Sequence, residues 1–144
     1  MSENTELALT NSAINTAMGA EAGTMICSIV NDGDRAKAAK IYNAMNNPEH
    51  RVSDFINKTI AVQDVLIEIR EILNEETGEV AKVPRVVLID PEGTGYQATS
   101  IGIYNVVRNA FTAFGPAPWD PPLKMTIKQR PVARGSMLTA DVVG

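Results

Sequence analysis

The side chains that could do covalent chemistry are few. One cysteine, Cys27, and one histidine, His50, stand in 144 residues. Together they cannot make an all-protein zinc site, and a single cysteine excludes an intrachain disulfide framework. A hydrolase triad needs a histidine, and His50 sits beside an Asn47-Pro48 turn that suits that role poorly. Gly93-Thr94-Gly95 resembles part of a phosphate loop, but no Gly-Lys-Ser/Thr follows it and strand patterns flank it, so it reads as a hairpin turn. Glu71, Glu75, Glu76 and Glu79 match no calcium-loop spacing and read as a solvated hairpin tip. No catalytic residue, metal site or cofactor is expected. The chain does not read as an enzyme.

Binding chemistry is better represented. Leu123, Met125 and Ile127 alternate with Lys124, Thr126, Lys128 and Arg130, which gives a strand with one apolar and one cationic face. Outward cations protect a strand from edge-to-edge aggregation. They also suit a sugar–phosphate backbone whose bases stack on nearby rings. The aromatic residues are three Tyr, three Phe and one Trp. Phe111 and Phe114 fall on a helix stripe and are expected in the core, whereas Tyr96 and Trp119 are the candidates for stacking. Lys58, Lys82, Arg85 and Arg134 are further candidate phosphate contacts.

The elements that must carry these residues follow from periodicity. A helix is expected from Asp32 or Asp34, either of which can cap it, with Ala38, Ile41, Tyr42 and Met45 at helical spacing and Asn47-Pro48 as its stop. From Lys58 the pattern turns to strands. Ile60 and Val62 share one parity and Val65, Ile67 and Ile69 the other, so a bulge or bend is expected at Gln63-Asp64. Glu76 to Glu79 is a turn, and Val83 to Ile89 a strand whose Pro84 places its start near a sheet edge. A short third strand runs from Tyr96 to Thr99. Ser100 or Thr99 can cap a second helix carrying Ile103, Val107, Ala110, Phe111 and Phe114, which Gly115-Pro116 ends. Two strands close the chain, with a turn at Arg134-Gly135.

The order strand, strand, strand, helix, strand, strand is that of a five-stranded Greek-key barrel. The expected fold is therefore mainly β with two helices: an OB-fold-like barrel, its helix between strands 3 and 4, plus an N-terminal extension and helix. A mixed α+β sandwich would read similarly. Residues 1–31 are expected to be an extension, loose to about Gly23 with Met25 to Val30 as a short strand, and residues 32–144 a single domain with a leading helix. Leu7, Leu9 and Ile14 could support self-association.

Charge limits the partners. The formal net charge is -4, so any nucleic-acid site must be local rather than spread over the surface. The first 34 residues hold no Lys or Arg, and from Pro121 onward Lys124, Lys128, Arg130 and Arg134 face Asp141 alone. No apolar run approaches the ~20 residues that span a membrane, and the N-terminus lacks the cationic start of a signal peptide. A cytoplasmic location in a bacterial host cell is expected, with no membrane partner.

Several stretches together resemble a known family. They are Asn57 to Val65, Glu76-Thr77-Gly78-Glu79, Arg85 to Asp90, Gly93 to Tyr96, Ala98-Thr99-Ser100, and Phe114-Gly115-Pro116 leading to Trp119 and Pro122-Leu123-Lys124. In order and spacing they are similar to the small single-stranded-DNA-binding proteins of phages and mobile elements of Gram-positive bacteria. The resemblance runs from about Ile41 to the C-terminus. It implies an OB-fold without enzymatic activity that binds single-stranded DNA independently of sequence, in support of replication or recombination. Many bacterial proteins of this kind end in an acidic tail, and the closing Thr139 to Gly144 has none. The alternative function is a phage structural or adaptor module that uses the same barrel for protein contacts.

Overall fold

The computed structural model describes residues 6–8, 11–30, 32–133 and 135–143. The described residues are mainly β, with nine strands in two sheets, three α-helices and two 3-10 turns. The strands are β1 (Glu6–Ala8), β2 (Met25–Cys27), β3 (His50–Arg51), β4 (Thr59–Val62), β5 (Asp64–Leu73), β6 (Val80–Ile89), β7 (Gly95–Thr99), β8 (Leu123–Pro131) and β9 (Ser136–Val143). The helices are α1 (Asn11–Thr16), α2 (Arg35–Asn46) and α3 (Ile101–Phe114). One sheet has the order β1-β2-β5-β6-β7-β3 and the other β4-β8-β9. Beyond the five strands of the expected barrel, β2 is the short strand expected from Met25, though it ends at Cys27; β1 and β3 add to the edges of the large sheet, and the bent strand counts twice.

That bend is the hinge of the architecture. β4 and β5 are separated only by Gln63, yet they belong to different sheets. Gln63 donates its N–H to Ile89 and accepts from the Trp119 N–H, each at 2.8 Å, so both sides of the break are fixed. The parity flip lets Ile60 and Val62 on one side, and Val65, Ile67 and Ile69 on the other, enter the same core. Met125 and Ile127 of β8 and Val86 and Leu88 of β6 meet them there, and Val107 and Phe111 of α3 complete it.

β6 is central from Arg85 to Ile89, but its start, Val80 to Pro84, has β5 alone as neighbour, which is the edge position expected for Pro84. Pro84 pairs with Ile69, whose own backbone groups bond toward Gly23 and Thr24, and the next pair is the last of β7. The missing proline N–H therefore falls just beyond the end of β7, where no ladder bond is lost.

α3 begins where expected: the Ser100 hydroxyl accepts from the Ile103 N–H at 3.1 Å, and Gly115 ends the helix at φ 86°. Phe114, expected in its buried stripe, is 48% exposed. Gly102 is the close approach that seats this helix, since a Cβ there would lie 2.1 Å from the Leu138 carbonyl oxygen of β9. α2 is capped by Asp34, whose carboxylate accepts from Ala36 at 2.8 Å. It covers the opposite face of the large sheet through a second, smaller core of Ile41, Ala44, Leu66, Val87 and Ile89 with Met25 and Cys27. Tyr42 lies off that face and is exposed, against expectation.

The segment expected to be loose is packed. Ile14 and Ala17 are buried in the main core, and the Tyr104 hydroxyl donates to the Ile14 carbonyl. β2 pairs antiparallel with β5. Ile14 is therefore occupied within its own chain, and Leu9 lies outside the described residues.

Candidate nucleic-acid interface

Three rings gather at the β3–β7 edge of the large sheet. His50 and Arg51 pair in parallel with Tyr96 and Gln97, and the 3-10 turn Val52–Phe55 folds the chain back so that Phe55 joins them. The His50 ring stacks on Tyr96 at 5.1 Å between centroids and 27° between planes. Phe55 meets both edge-on, at 5.1 Å from Tyr96 and 5.2 Å from His50. His50 is exposed, whereas Phe55 and Tyr96 are half-buried, so the cluster offers ring surface to solvent from a packed base.

The surroundings hold these rings in place. The Tyr96 hydroxyl donates to Asp90 at 3.2 Å, and the other Asp90 oxygen accepts from the backbone of Glu92 and Thr94 in the β6–β7 turn. Burial raises the Tyr96 pKa above the usual phenol value, and the Asp90 carboxylate adds to it. Asn57 turns the chain out of the 3-10 segment with φ 67°, a left-handed conformation that asparagine tolerates. Its N–H donates to Ile127 of β8 at 2.6 Å, and the Ile127 N–H donates to Lys58 at 2.9 Å. The Lys58 ammonium then sits 5.7 Å over the Phe55 ring. Glycine-free and fixed at both ends, this turn joins the aromatic cluster to the strand that bears the cationic face.

Beside the cluster lies a cleft of about 360 Å³ where the two sheets fail to join. Arg51 and Ser53 form one wall, Gln97 to Ser100 another, and Leu138 of β9 the third. The β7 and β9 edges flanking it are not hydrogen-bonded to one another.

The residues singled out in the sequence divide into two groups. Lys124, Lys128 and Arg130 project from the outer face of β8, with Leu123, Met125 and Ile127 buried beneath. Their partners across the ladder are Ala61 and Val143 for Lys124, Thr139 for Lys128 and Met137 for Arg130, none of them charged. Lys58 is bonded through its backbone to Ile127 of β8 and carries its ammonium over Phe55, in the aromatic cluster with Tyr96. Arg134 lies outside the described residues.

Lys82, Arg85 and Trp119 are engaged elsewhere. The Lys82 ammonium donates to the Ala20 carbonyl at 2.8 Å, tying the N-terminal segment to β6. Arg85 is only 4% exposed. Its guanidinium pairs with Glu68 at 3.4 Å and donates to Gln97 at 3.3 Å, while burial and the nearby Arg70 lower its pKa. Trp119 is 5% exposed, edge-on to Phe111, with its indole N–H given to the Gly115 carbonyl at 2.9 Å. So little exposed ring leaves a base little surface to stack on, and the stacking expected of Trp119 does not fit its position. His50, Arg51 and Phe55 were not among the candidate binding residues of the sequence. Their relation to Tyr96 spans more than forty positions and depends on a parallel pairing of only two residues.

Among the described residues, no group of three or more His, Cys, Asp or Glu could hold a metal ion, and no helix is long and apolar enough to cross a membrane. What the geometry presents is a β-sheet protein with an open aromatic platform, a cleft and a strand-borne cationic face. The family model of phage single-stranded DNA-binding proteins matches residues 20–140, and the chain belongs to that family, whose members bind DNA and are not catalysts. No curated protein and no solved structure matches it.

Proposed function

We propose that this protein coats single-stranded DNA independently of sequence during phage or mobile-element replication or recombination, in the cytoplasm of the bacterial host. Residues 32–144 form one OB-like barrel domain in this reading, with β4 and β5 as its bent first strand and the described part of the N-terminal extension docked on it. Bases lie on His50, Phe55 and Tyr96. Phosphates meet Arg51 and Lys58, then pass along Lys124, Lys128 and Arg130, and Arg134 is a further candidate phosphate contact.

The observation that carries this reading is the union of the aromatic cluster with a cation over its Phe55 ring, 5.7 Å away, beside the open cleft. Stacking tolerates any base because every base has a π-face, and phosphate neutralisation is blind to sequence. Glu49, Asp90 and Glu92 act on the Tyr96 side of the cluster, so the phosphate track is assigned to the Lys58 side.

Anisotropy of a labelled ~12-nucleotide strand, within the site size of one such fold, measures the claim. Phe55→Ala should weaken binding by roughly 1–3 kcal/mol, the value of one stacked base, and leave the salt dependence unchanged. Wild-type affinity in a folded Phe55→Ala protein would place the bases elsewhere.

A further inference from the structure

The β5–β6 ribbon runs out beyond the core. Every residue from Arg70 to Lys82 is exposed, and among them Ile72, Leu73 and Val80 are 51, 57 and 57% exposed. Leu73 pairs with Val80, and Ile72 with Ala81, so adjacent pairs make both faces of the ribbon apolar. A two-stranded ribbon is marginal in water by itself, and apolar pairs at its tip mark a surface that another molecule covers. Its free charge is acidic: Glu71, Glu75, Glu76 and Glu79 lie there, while the two cations at its base are engaged, Arg70 with Glu68 at 3.1 Å and Lys82 with the Ala20 carbonyl.

The complement is on the same chain. The far end of β8 presents Arg130 and Pro131, both exposed, and then Val132 at 44% exposed, with the uncharged Met137 and Ser136 opposite on β9. We infer that the acidic, apolar β5–β6 ribbon of one protomer docks on the basic, apolar β8–β9 ribbon end of a second copy when both occupy one DNA strand. The two surfaces are different patches, so the contact is heterologous and repeats head to tail instead of closing into a dimer. Arg130 then marks the point where the phosphate track passes from one protomer to the next. This inference rests on the single-stranded-DNA reading above.

Affinity per protomer is compared on a ~12-nucleotide strand, room for one protomer, and a ~60-nucleotide strand, room for several. The wild type should bind the long strand at least about tenfold more tightly, since a neighbour contact acts as a second, tethered binding event. Glu75→Lys/Glu76→Lys/Glu79→Lys should keep short-strand binding and lose the long-strand gain. Arg130→Glu/Val132→Glu should lose the gain too, with some loss on the short strand. An equal mixture of the two variants should regain it, because reversed ribbons meet reversed receptors and native ribbons meet native ones. Wild-type binding without a long-strand gain, variants that keep the gain, or a mixture that fails to restore it would each overturn the contact while leaving the DNA reading intact. A wild type that binds neither strand would overturn both.

Discussion

The phosphate track can be measured through salt. Lys124, Lys128 and Arg130 share the outer face of β8, and at ~3.4 Å per residue they span about 20 Å. Among the described residues none of the three is in an ion pair, and Asp141, opposite Thr126, is the one acid in the paired positions of the neighbouring strands. Each phosphate neutralised on a single strand adds about -0.7 to the slope of log affinity against log salt. Changing all three to Gln should therefore reduce the slope's magnitude by ~2, so that between 50 and 200 mM salt the wild type loses roughly 16-fold more affinity than the variant. Anisotropy of a labelled thirty-nucleotide strand at three salt concentrations gives the slope directly. Outward positions on β8 carry no core packing, so the variant should melt like the wild type. A folded triple variant with the wild-type slope would refute the assignment and move the track off β8.

Gly102→Ala should destabilise the fold by roughly 1–3 kcal/mol despite the better helix propensity of alanine, because its Cβ would meet the Leu138 backbone at 2.1 Å. Thermal melting reads this, and since Leu138 lines the cleft, DNA affinity should fall in the same variant. Trp119→Ala should cost about 3–5 kcal/mol of stability as a buried aromatic truncation. Whatever fraction remains folded should bind DNA with an unchanged slope. Burial raises the Asp64 pKa, opposed by the Ser28 hydrogen bond and by Lys40. A carboxyl whose folded pKa lies above its unfolded value costs stability once ionised, at pH above the folded value, and the cost vanishes below the unfolded one. Asp64→Asn should therefore raise the unfolding free energy at pH 7, with the difference from wild type shrinking as pH falls through the carboxylate range. Urea melts across that range would show it, and a constant difference would count against the burial effect.

The strand parities were legible in the sequence because each buried residue had to alternate, and the shift between Val62 and Val65 called for a bulge or a bend, of which the structure has the bend. The caps of α2 and α3 were legible for a similar reason, since Asp34 and Ser100 act on N–H groups two and three residues away. Local signals failed where distant partners decide. Nothing near Trp119 announces that Phe111 and the Gly115 carbonyl will enclose it, and nothing near Arg85 announces Glu68 and Gln97. Ile14 sits in a weakly patterned stretch and is buried only because α3 and the sheet leave room for it. The cationic half of the candidate site was visible as an alternation along β8. The aromatic half was not, because two-residue β3 is too short to leave a pattern and sets His50 beside Tyr96 only through tertiary pairing.

Trp119 also fixes what light reports from this molecule. It is the sole tryptophan, and it is enclosed in the core with its N–H satisfied by a backbone carbonyl. Its emission should be blue-shifted in the native state and move to the red when α3 and the strand after it separate, which makes it a sensor of unfolding. DNA arriving at the His50–Phe55–Tyr96 platform meets no indole, so a titration followed by intrinsic fluorescence would be nearly silent while a label on the strand reports full occupancy. The same silence is useful. Melts can be followed with DNA present, and the stabilisation by bound strand read from one undisturbed optical signal.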